Sequence, residues 1–201
     1  MEIDILNYIQ TLRTPIGDVL MPFISSLGNG GFVWIVLDIA LIIIPKTRKA
    51  GIVVAFAIIL DVLLCNGLLK PLVARIRPCN VVKNINMLIP IPKDFSFPSG
   101  HTAVAFMGAE FLRQEYKDVS PWYGIGGYVV AMGTGALRVY NNKHWAGDVI
   151  FGAGLGILCT KLSYCIYPVM QCKLMKKKTE RKNTTDLAFY PYYNGQQGGL
   201  S

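Results

Sequence analysis

Long apolar stretches set the pattern of this chain. The clearest covers residues 51–69, where only Asp61 and Asn66 interrupt 19 positions. About 20 apolar residues cross the roughly 30 Å of hydrocarbon in a bilayer, so this stretch predicts a membrane-spanning helix. Further spans are predicted at residues 102–112 with their flanks, 121–137 and 146–167.

The first part of the chain is harder to divide. Residues 32–44 are strongly apolar but short, with glycines before them and Pro45 after them, and residues 18–27 are shorter still. This region forms either two short helices or one broken helix. We predict two, which gives an all-α fold: a polytopic membrane bundle of about six transmembrane helices within residues 15–170.

The two ends of the chain flank this bundle. Residues 1–14 lack the basic region and the cleavage pattern of a secretory signal. Their apolar positions fit an amphipathic helix on the membrane surface, or equally a simple cytosolic leader. Residues 171–201 begin with a basic cluster and continue as a polar, glycine-rich tail, which we expect to be disordered.

Composition and charge sharpen this picture. Hydrophobic residues make up 52% of the chain and charged residues only 16%, against roughly 25% charged residues in soluble domains. The net charge of +8 has two main sources, in residues 46–49 and 173–182. Because basic loops stay in the cytoplasm, the segment 71–98 and the loop 138–145 are expected outside.

We therefore expect a multi-pass protein of the plasma membrane, with its C-terminal tail in the cytoplasm. Orientation of the chain, or contact with anionic headgroups, explains the basic tail better than nucleic acid does. Membrane lipids are expected partners and nucleic acid is not. The sequence does not set the oligomeric state.

The chain contains only two histidines, and both lie beside residues suited to phosphate. His144 is followed four positions later by Asp148, so on a helix the two share a face and the carboxylate can orient the imidazole. The other ring nitrogen is then free to attack a substrate. His101 opens a predicted span, which leaves it as the proton donor to the leaving group.

Cations and a helix start surround these histidines. Lysine and arginine neutralise and orient phosphoryl oxygens, and backbone N–H groups at a helix start hold an anion. The predicted phosphate ligands are Lys70, Arg77, Ser99, Gly100 and Arg138. The predicted topology puts their three segments on one outer face, where an anion site explains cations that run against the orientation rule. Arg75 is interpreted as a residue that snorkels to the membrane interface or contacts lipid headgroups.

At these positions the sequence resembles the type 2 phosphatidic acid phosphatases and their vanadium haloperoxidase relatives. Their three motifs are matched by Lys70 with Arg77-Pro78, by Pro98-Ser99-Gly100-His101, and by Arg138 with His144 and Asp148. Leu137 stands where the third motif begins with serine in the family. This departure removes one hydroxyl group from the expected site.

The resemblance implies a membrane lipid phosphatase in which His144 forms a phosphohistidine. It implies that Asp148 raises the nucleophilicity of that histidine and that His101 protonates the leaving oxygen. No metal or other cofactor is expected, because the clustered cations supply the positive charge. A zinc site is the rival interpretation of two histidines and an aspartate, but the neighbouring cations would repel the ion.

The expected substrate is an amphiphilic lipid phosphate or diphosphate. Undecaprenyl diphosphate is the first expectation, and phosphatidate or phosphatidylglycerophosphate is the alternative. A non-enzymatic lipid-phosphate binder or transporter is the alternative of another class. The outer segment 71–98 carries an apolar patch at residues 87–91, which forms either part of a lipid entrance or an ordinary buried loop.

Three acidic residues fall inside predicted spans, where a charge is costly. These are Asp38, Asp61 and Glu110. We expect them to face the interior of the bundle and to form hydrogen bonds between helices. Glycines in the last two spans predict close packing of neighbouring helices.

Overall fold

The computed structural model describes the backbone of residues 2–27, 32–82 and 92–188. The chain divides into two units, Met1–Tyr164 and Cys165–Ser201. Within the described ranges the secondary structure is helical and contains no strand, which confirms the predicted all-α class. The apolar patch at residues 87–91 lies outside the described residues.

The helices follow one another along the chain with short connections. They are α1 (Glu2–Thr11), α2 (Pro15–Leu27), α3 (Phe32–Ile43), α4 (Arg48–Asp61), α5 (Lys70–Val73), α6 (Pro78–Val81), α7 (Gly100–Glu115), α8 (Trp122–Tyr140) and α9 (Ala146–Ala188). Between α4 and α5 the chain forms π-helical turns over Val62–Leu69.

Two helical stretches of the described chain are long and apolar enough to cross a membrane. These are Arg48–Val81 and Ala146–Lys173. Shorter apolar helices cover Pro15–Ile24 and Trp34–Ile43. Many large apolar side chains on these helices are exposed, as expected where lipid covers the surface. The molecule is a helical membrane protein, but the predicted number of six spans is not confirmed.

Helices α2 and α3 follow one another along the length of the bundle. The Tyr140 hydroxyl, at the end of α8, donates a hydrogen bond of 2.9 Å to Asp18 in the first turn of α2. The Trp34 ring, at the start of α3, lies against Gly108, halfway along α7. The end of α3 then leads into α4, which starts at the opposite end of the bundle from Lys70. These contacts fit one broken span better than two separate spans.

Glycines allow α7, α8 and α9 to approach closely. A Cβ atom at Gly156 of α9 would lie 2.0 Å from the carbonyl oxygen of Ala103 in α7, and one at Gly152 would lie 2.6 Å from that of Ser99. Gly127 of α8 packs in the same way against Ala109. The predicted close packing is confirmed at these positions, whereas Gly126, Gly133 and Gly154 have no atom within 4 Å of such a Cβ.

The three acids predicted to face the interior are all buried. Glu110 accepts a hydrogen bond of 2.5 Å from Tyr128 of α8 and bonds from Arg113 at 2.8 and 2.6 Å, so the predicted link between helices is confirmed there. Asp38 and Asp61 differ from it. One oxygen of each, Oδ1, has no hydrogen-bond partner in the described part of the chain.

Helix α1 packs on the end of the bundle where α8 stops and α9 begins. The Gln10 side chain donates to Asn142 Oδ1 at 2.9 Å, and the Gly147 N–H donates to Glu2 Oε1 at 3.1 Å. Asn142 and Gly147 flank His144 in the sequence. This position fits the surface-helix alternative for residues 1–14 and not a leader at the opposite end.

The second unit is helical through Ala188. The sequence predicts disorder from residue 171 onward, and the structure differs over residues 171–188. Lysine, methionine, glutamate and arginine dominate the start of this stretch, and all four have high helix propensity, which accounts for the difference. Residues 189–201 lie outside the described residues.

Candidate active site

A single cavity of about 1020 Å³ in the first unit brings the predicted site residues together. Six of them line it: Lys70, Arg77, Gly100, His101, Arg138 and His144. The other two, Ser99 and Asp148, are fully buried and lie behind the wall. Much of the remaining wall is apolar, from α2, α3, α4, α7 and α8. The three sequence segments therefore converge, as the sequence predicts.

A sharp turn places Lys70 and Arg77 on the same cavity. Helix α5 ends at Val73, and Ala74, which follows it, has the left-handed backbone angles φ 47° and ψ 36°. Such a conformation costs a residue with a Cβ atom roughly 1–2 kcal/mol. Arg77 has an extended backbone and directly precedes α6, which begins at Pro78.

Asp94, which belongs to none of the three motifs, binds both cations. Its Oδ2 accepts a hydrogen bond of 2.7 Å from Lys70 Nζ, and its Oδ1 accepts one of 2.8 Å from Arg77. Burial acts to raise the pKa of this carboxyl, but the bonds and charges of Lys70 and Arg77 outweigh it and lower the pKa overall. Asp94 therefore stays ionised and fixes the spacing of the two cations.

The Arg77 guanidinium lies at the centre of the site. It is 4% exposed and donates to the carbonyl oxygens of Lys143 at 2.7 Å and Asp94 at 2.9 Å. The same terminal nitrogen that contacts Lys143 lies 3.2 Å from Nε2 of His144. A rigid cation thus stands next to one ring nitrogen of the candidate nucleophile.

The other ring nitrogen of His144 is fixed by the backbone. Nδ1 lies 2.7 Å from the carbonyl oxygen of Ser96. A carbonyl oxygen only accepts hydrogen bonds, so Nδ1 carries the proton and Nε2 keeps its lone pair. Burial lowers the pKa of His144 and the charge of Arg77 lowers it further, while Asp148 acts in the opposite direction; the net shift is downward from 6.5. The imidazole is therefore neutral at pH 7.

Asp148 does not orient His144 through a direct hydrogen bond. Its Oδ2 lies 3.8 Å from Nδ1, which is longer than a hydrogen bond. Helix α9 begins only at Ala146, so the helical four-residue spacing assumed from the sequence does not apply to this pair. The Ser96 carbonyl makes the direct contact, and Asp148 supplies a negative charge close to it.

The Asp148 carboxylate is itself held by donors on both oxygens. Oδ2 accepts bonds from the Ser96 hydroxyl and, at 2.9 Å, from the Trp145 N–H. Oδ1 accepts a bond of 2.8 Å from Arg75. Arg75 also pairs with Glu2 of α1 and lies over the Trp145 ring, 5.4 Å from its centre. The structure thus places Arg75 against the site, which differs from the headgroup contact predicted from sequence.

Ser99 has a structural position and does not face the cavity. Its hydroxyl lies 2.9 Å from the Thr102 hydroxyl, and its N–H donates to the Asp148 carbonyl oxygen at 3.1 Å. Ser99 therefore joins the start of α7 to α9. Gly100 and His101, in the first turn of α7, line the cavity instead.

Arg138 and Lys143 add positive charge to the cavity wall. Arg138 is 1% exposed and lies in the last turn of α8, where the helix dipole favours a cation. Its carbonyl oxygen accepts bonds from the N–H groups of Lys143 and His144 at 3.1 and 3.3 Å. Burial, together with the charges of Arg138 and Arg77, lowers the pKa of Lys143. Lys143 is a cation that the motif spacing does not reveal.

Several cations around a neutral, buried histidine, in a bundle of apolar helices, are typical of a membrane protein that binds phosphate groups. The sequence matches the PAP2 superfamily over residues 50–171, a range that contains every predicted site residue. The chain belongs to the PAP2 superfamily. The resemblance stated from the motifs is confirmed.

Similarity to individual proteins extends over much of the chain. It is 37% identical over 145 residues to the undecaprenyl-diphosphatase of Sulfolobus acidocaldarius, covering 72% of this chain and 68% of that protein. It is 54% identical over 71 residues to the lipid A 1-phosphatase of Porphyromonas gingivalis, covering 35% of this chain but only 16% of that protein. The crystal structure of Aquifex aeolicus LpxE superposes with a TM-score of 0.70 at 30% identity, covering 81% and 93% of the two chains.

Proposed function

We propose that this protein is an integral membrane lipid phosphatase that hydrolyses lipid phosphates or diphosphates through a phosphohistidine on His144. The observation that carries the proposal is the geometry of that ring. Nδ1 is tied to the Ser96 carbonyl at 2.7 Å, and Nε2 points at Arg77 from 3.2 Å. In the structure the Arg77 N–H donates to the lone pair of Nε2. When a phosphoryl oxygen takes over that N–H, the lone pair is freed next to phosphorus and can attack it.

The reaction then proceeds in two steps. His144 Nε2 forms a bond to phosphorus while the bond from phosphorus to the leaving oxygen breaks, and His101 gives that oxygen a proton. Water next attacks the phosphohistidine, the bond from nitrogen to phosphorus breaks, and inorganic phosphate leaves. Lys70, Arg77 and Arg138 stabilise the negative charge on the phosphoryl oxygens in both steps. No metal or cofactor takes part.

Asp148 stabilises the positive charge that forms on the His144 ring during the reaction. In the first step the ring gains a positive charge, because Nδ1 keeps its proton while Nε2 bonds to phosphorus. The buried carboxylate, 3.8 Å from Nδ1, stabilises that charge. A lipid-phosphate binder or transporter would need the cations but would have no use for this pair, so an enzyme is favoured.

The substrate is amphiphilic, since the cationic end of the cavity continues into an apolar wall that includes Trp34, Ile58 and Leu112. Undecaprenyl diphosphate is the first candidate, supported by the Sulfolobus acidocaldarius relative. A lipid A phosphate is the second, supported by the high local identity to the Porphyromonas gingivalis protein. Hydrolysis of phosphatidate or phosphatidylglycerophosphate stays a prediction.

We place the protein in the plasma membrane with the site on the extracytoplasmic face and the tail in the cytoplasm. The basic residues between α3 and α4, and those of the tail, support this orientation. With α2 and α3 as one broken span, α1 lies on the same face as the site.

The function is tested by phosphate release from purified protein in detergent. The panel contains undecaprenyl diphosphate, lipid A, phosphatidate and phosphatidylglycerophosphate, each with and without EDTA. We expect turnover of at least one lipid and the same rate after chelation. No turnover of any of them, or activity that EDTA abolishes and magnesium or zinc restores, would contradict the proposal.

Arg75→Gln is expected to lower kcat about tenfold with little change in KM, a loss equivalent to about 1.4 kcal/mol. The reason is that Asp148 loses the cation that holds its Oδ1 while it remains buried. Gln10→Ala is the matched control, because it removes contacts of α1 with Asn142 and Tyr140 without touching Asp148. An equal loss in both variants would mean that docking of α1, and not the Asp148 contact, matters.

The pKa of His144 can be measured directly, because the chain has only one other histidine, His101. His101→Gln leaves His144 as the single imidazole, which NMR of histidine-labelled protein then follows through a pH titration. Since burial lowers its pKa, the ring should take up its proton only below pH 6.5. The nucleophile therefore stays active as pH falls to that value. A midpoint above 6.5 would contradict this account of the site.

A further inference from the structure

The carboxylate of Glu2, at the start of α1, lies against the first turn of α9. Its Oε1 accepts a hydrogen bond of 3.1 Å from the Gly147 N–H. The first N–H groups of a helix have no partner within the helix, and the helix dipole attracts negative charge there. A Cβ atom at Gly147 would lie 2.8 Å from Glu2 Oε1. The contact therefore depends on a residue without a side chain, directly before Asp148.

The second carboxylate oxygen of Glu2 binds Arg75. Oε2 accepts a hydrogen bond from Nη2 of the guanidinium, while Nη1 donates to Asp148 Oδ1 at 2.8 Å. One guanidinium thus bridges two carboxylates. The Arg75 side chain is 30% exposed, so water competes for it, and an arginine loses considerable side-chain entropy when it is held in one position. The second anchor, on Glu2, therefore helps to keep Arg75 on Asp148.

We propose that Glu2 is a positioning residue for phosphoryl transfer, which acts through Arg75 on the Asp148 carboxylate. This inference rests on the proposed function. Asp148 is fully buried, and its Oδ2 lies 3.8 Å from Nδ1 of His144. When Arg75 turns towards solvent, the carboxylate loses the donor to its Oδ1 and is free to tilt. Its charge then no longer stays at a fixed distance from the ring that it stabilises.

The effect of Glu2 falls on the chemical step and not on lipid binding. The phosphate ligands Lys70 and Arg77 are held by Asp94, and none of these three residues contacts Glu2 in the described part of the chain. The positive charge on His144 exists only after the ring has begun to bond to phosphorus. An interaction that strengthens only then raises kcat without a matching change in KM.

Glu2→Gln tests the inference, because the amide keeps the shape of the side chain and removes its charge. Steady-state phosphate release is measured on the lipid of the panel that the wild-type protein hydrolyses fastest. We expect kcat to fall about three- to fivefold, the upper range for one partly exposed ion pair, with KM within about twofold of the wild type. In the Arg75→Gln background the same substitution should change kcat less than about twofold, because the residue through which Glu2 acts is gone.

Asp4→Asn is the matched control, since it removes the same charge from the same turn of α1. Asp4 is exposed and points about 160° away from Glu2 around the helix axis, so its loss should leave kcat unchanged. Three results would each overturn the inference alone: an unchanged kcat in Glu2→Gln, an equal loss in Asp4→Asn, or losses that multiply when Glu2→Gln and Arg75→Gln are combined. Absence of turnover by the wild-type protein on every lipid would overturn the proposed function and the inference together.

Discussion

His144→Ala is expected to lower kcat for phosphate release at least about 10⁴-fold, because loss of a nucleophile removes the covalent route entirely. Binding should survive. The phosphate ligands are held by Asp94 and by backbone carbonyl oxygens, so Lys70 and Arg77 keep their positions without the imidazole. The lipid dissociation constant is expected to change less than about threefold. Single-turnover phosphate release and equilibrium lipid binding measure the two quantities.

His144→Gln serves as a second variant, since its amide fills more of the space left by the ring. Both variants should be equally inactive and should melt within a few degrees of the wild type. Residual activity within tenfold of the wild type in either variant would mean that another group attacks phosphorus.

His101→Ala is expected to show the second largest effect, a fall in kcat of about 10²–10⁴-fold on lipid substrates, the usual contribution of a general acid. A lipid alkoxide is a poor leaving group and needs the proton. p-Nitrophenolate does not, so hydrolysis of p-nitrophenyl phosphate should fall less than about tenfold. The measurement is the ratio of the two losses in steady-state assays of the same preparation.

That ratio separates proton donation from phosphate binding. If His101 only bound the phosphoryl group, both substrates would lose activity equally. Arg138→Gln provides the comparison, because a lost phosphate ligand should slow both reactions to a similar degree. Equal losses for His101→Ala on the two substrates would exclude its assignment as the acid.

The motifs were predictable because each is a short sequence with a direct chemical meaning. Lys70 and Arg77, the start of α7, and His144 are set by spacing within single segments. Their convergence on one cavity follows from the alternation of apolar spans, which brings every second connection to the same end of the bundle. The length and composition of the apolar stretches were therefore sufficient to predict this convergence.

The contacts that orient the nucleophile could not be predicted in this way. Ser96 contacts His144 across 48 positions of sequence, and Arg75 contacts Asp148 across 73. Neither has a spacing rule, because both depend on how α7, α9 and the intervening loops pack. Asp94 lies near a motif but outside it, and only its ion pairs with Lys70 and Arg77 reveal its position.

The direction of the short N-terminal helices was equally hard to predict. Hydropathy reports the length of an apolar stretch but not the end of the bundle at which it begins. The hydrogen bond between Tyr140 and Asp18 shows that α2 begins at the end of the bundle where α8 stops. The tail differs for another reason, since its composition indicates disorder while the intrinsic propensity of its residues favours a helix through Ala188.

The most direct test of the central claim is to trap the covalent intermediate. Wild-type protein is mixed with a lipid substrate that carries ³²P in its terminal phosphate and is quenched in alkali within milliseconds. We expect label on the protein that is stable in alkali, is lost in acid, maps to the peptide containing His144, and is absent from His144→Ala. Turnover without such label, or label on any other residue, would contradict it.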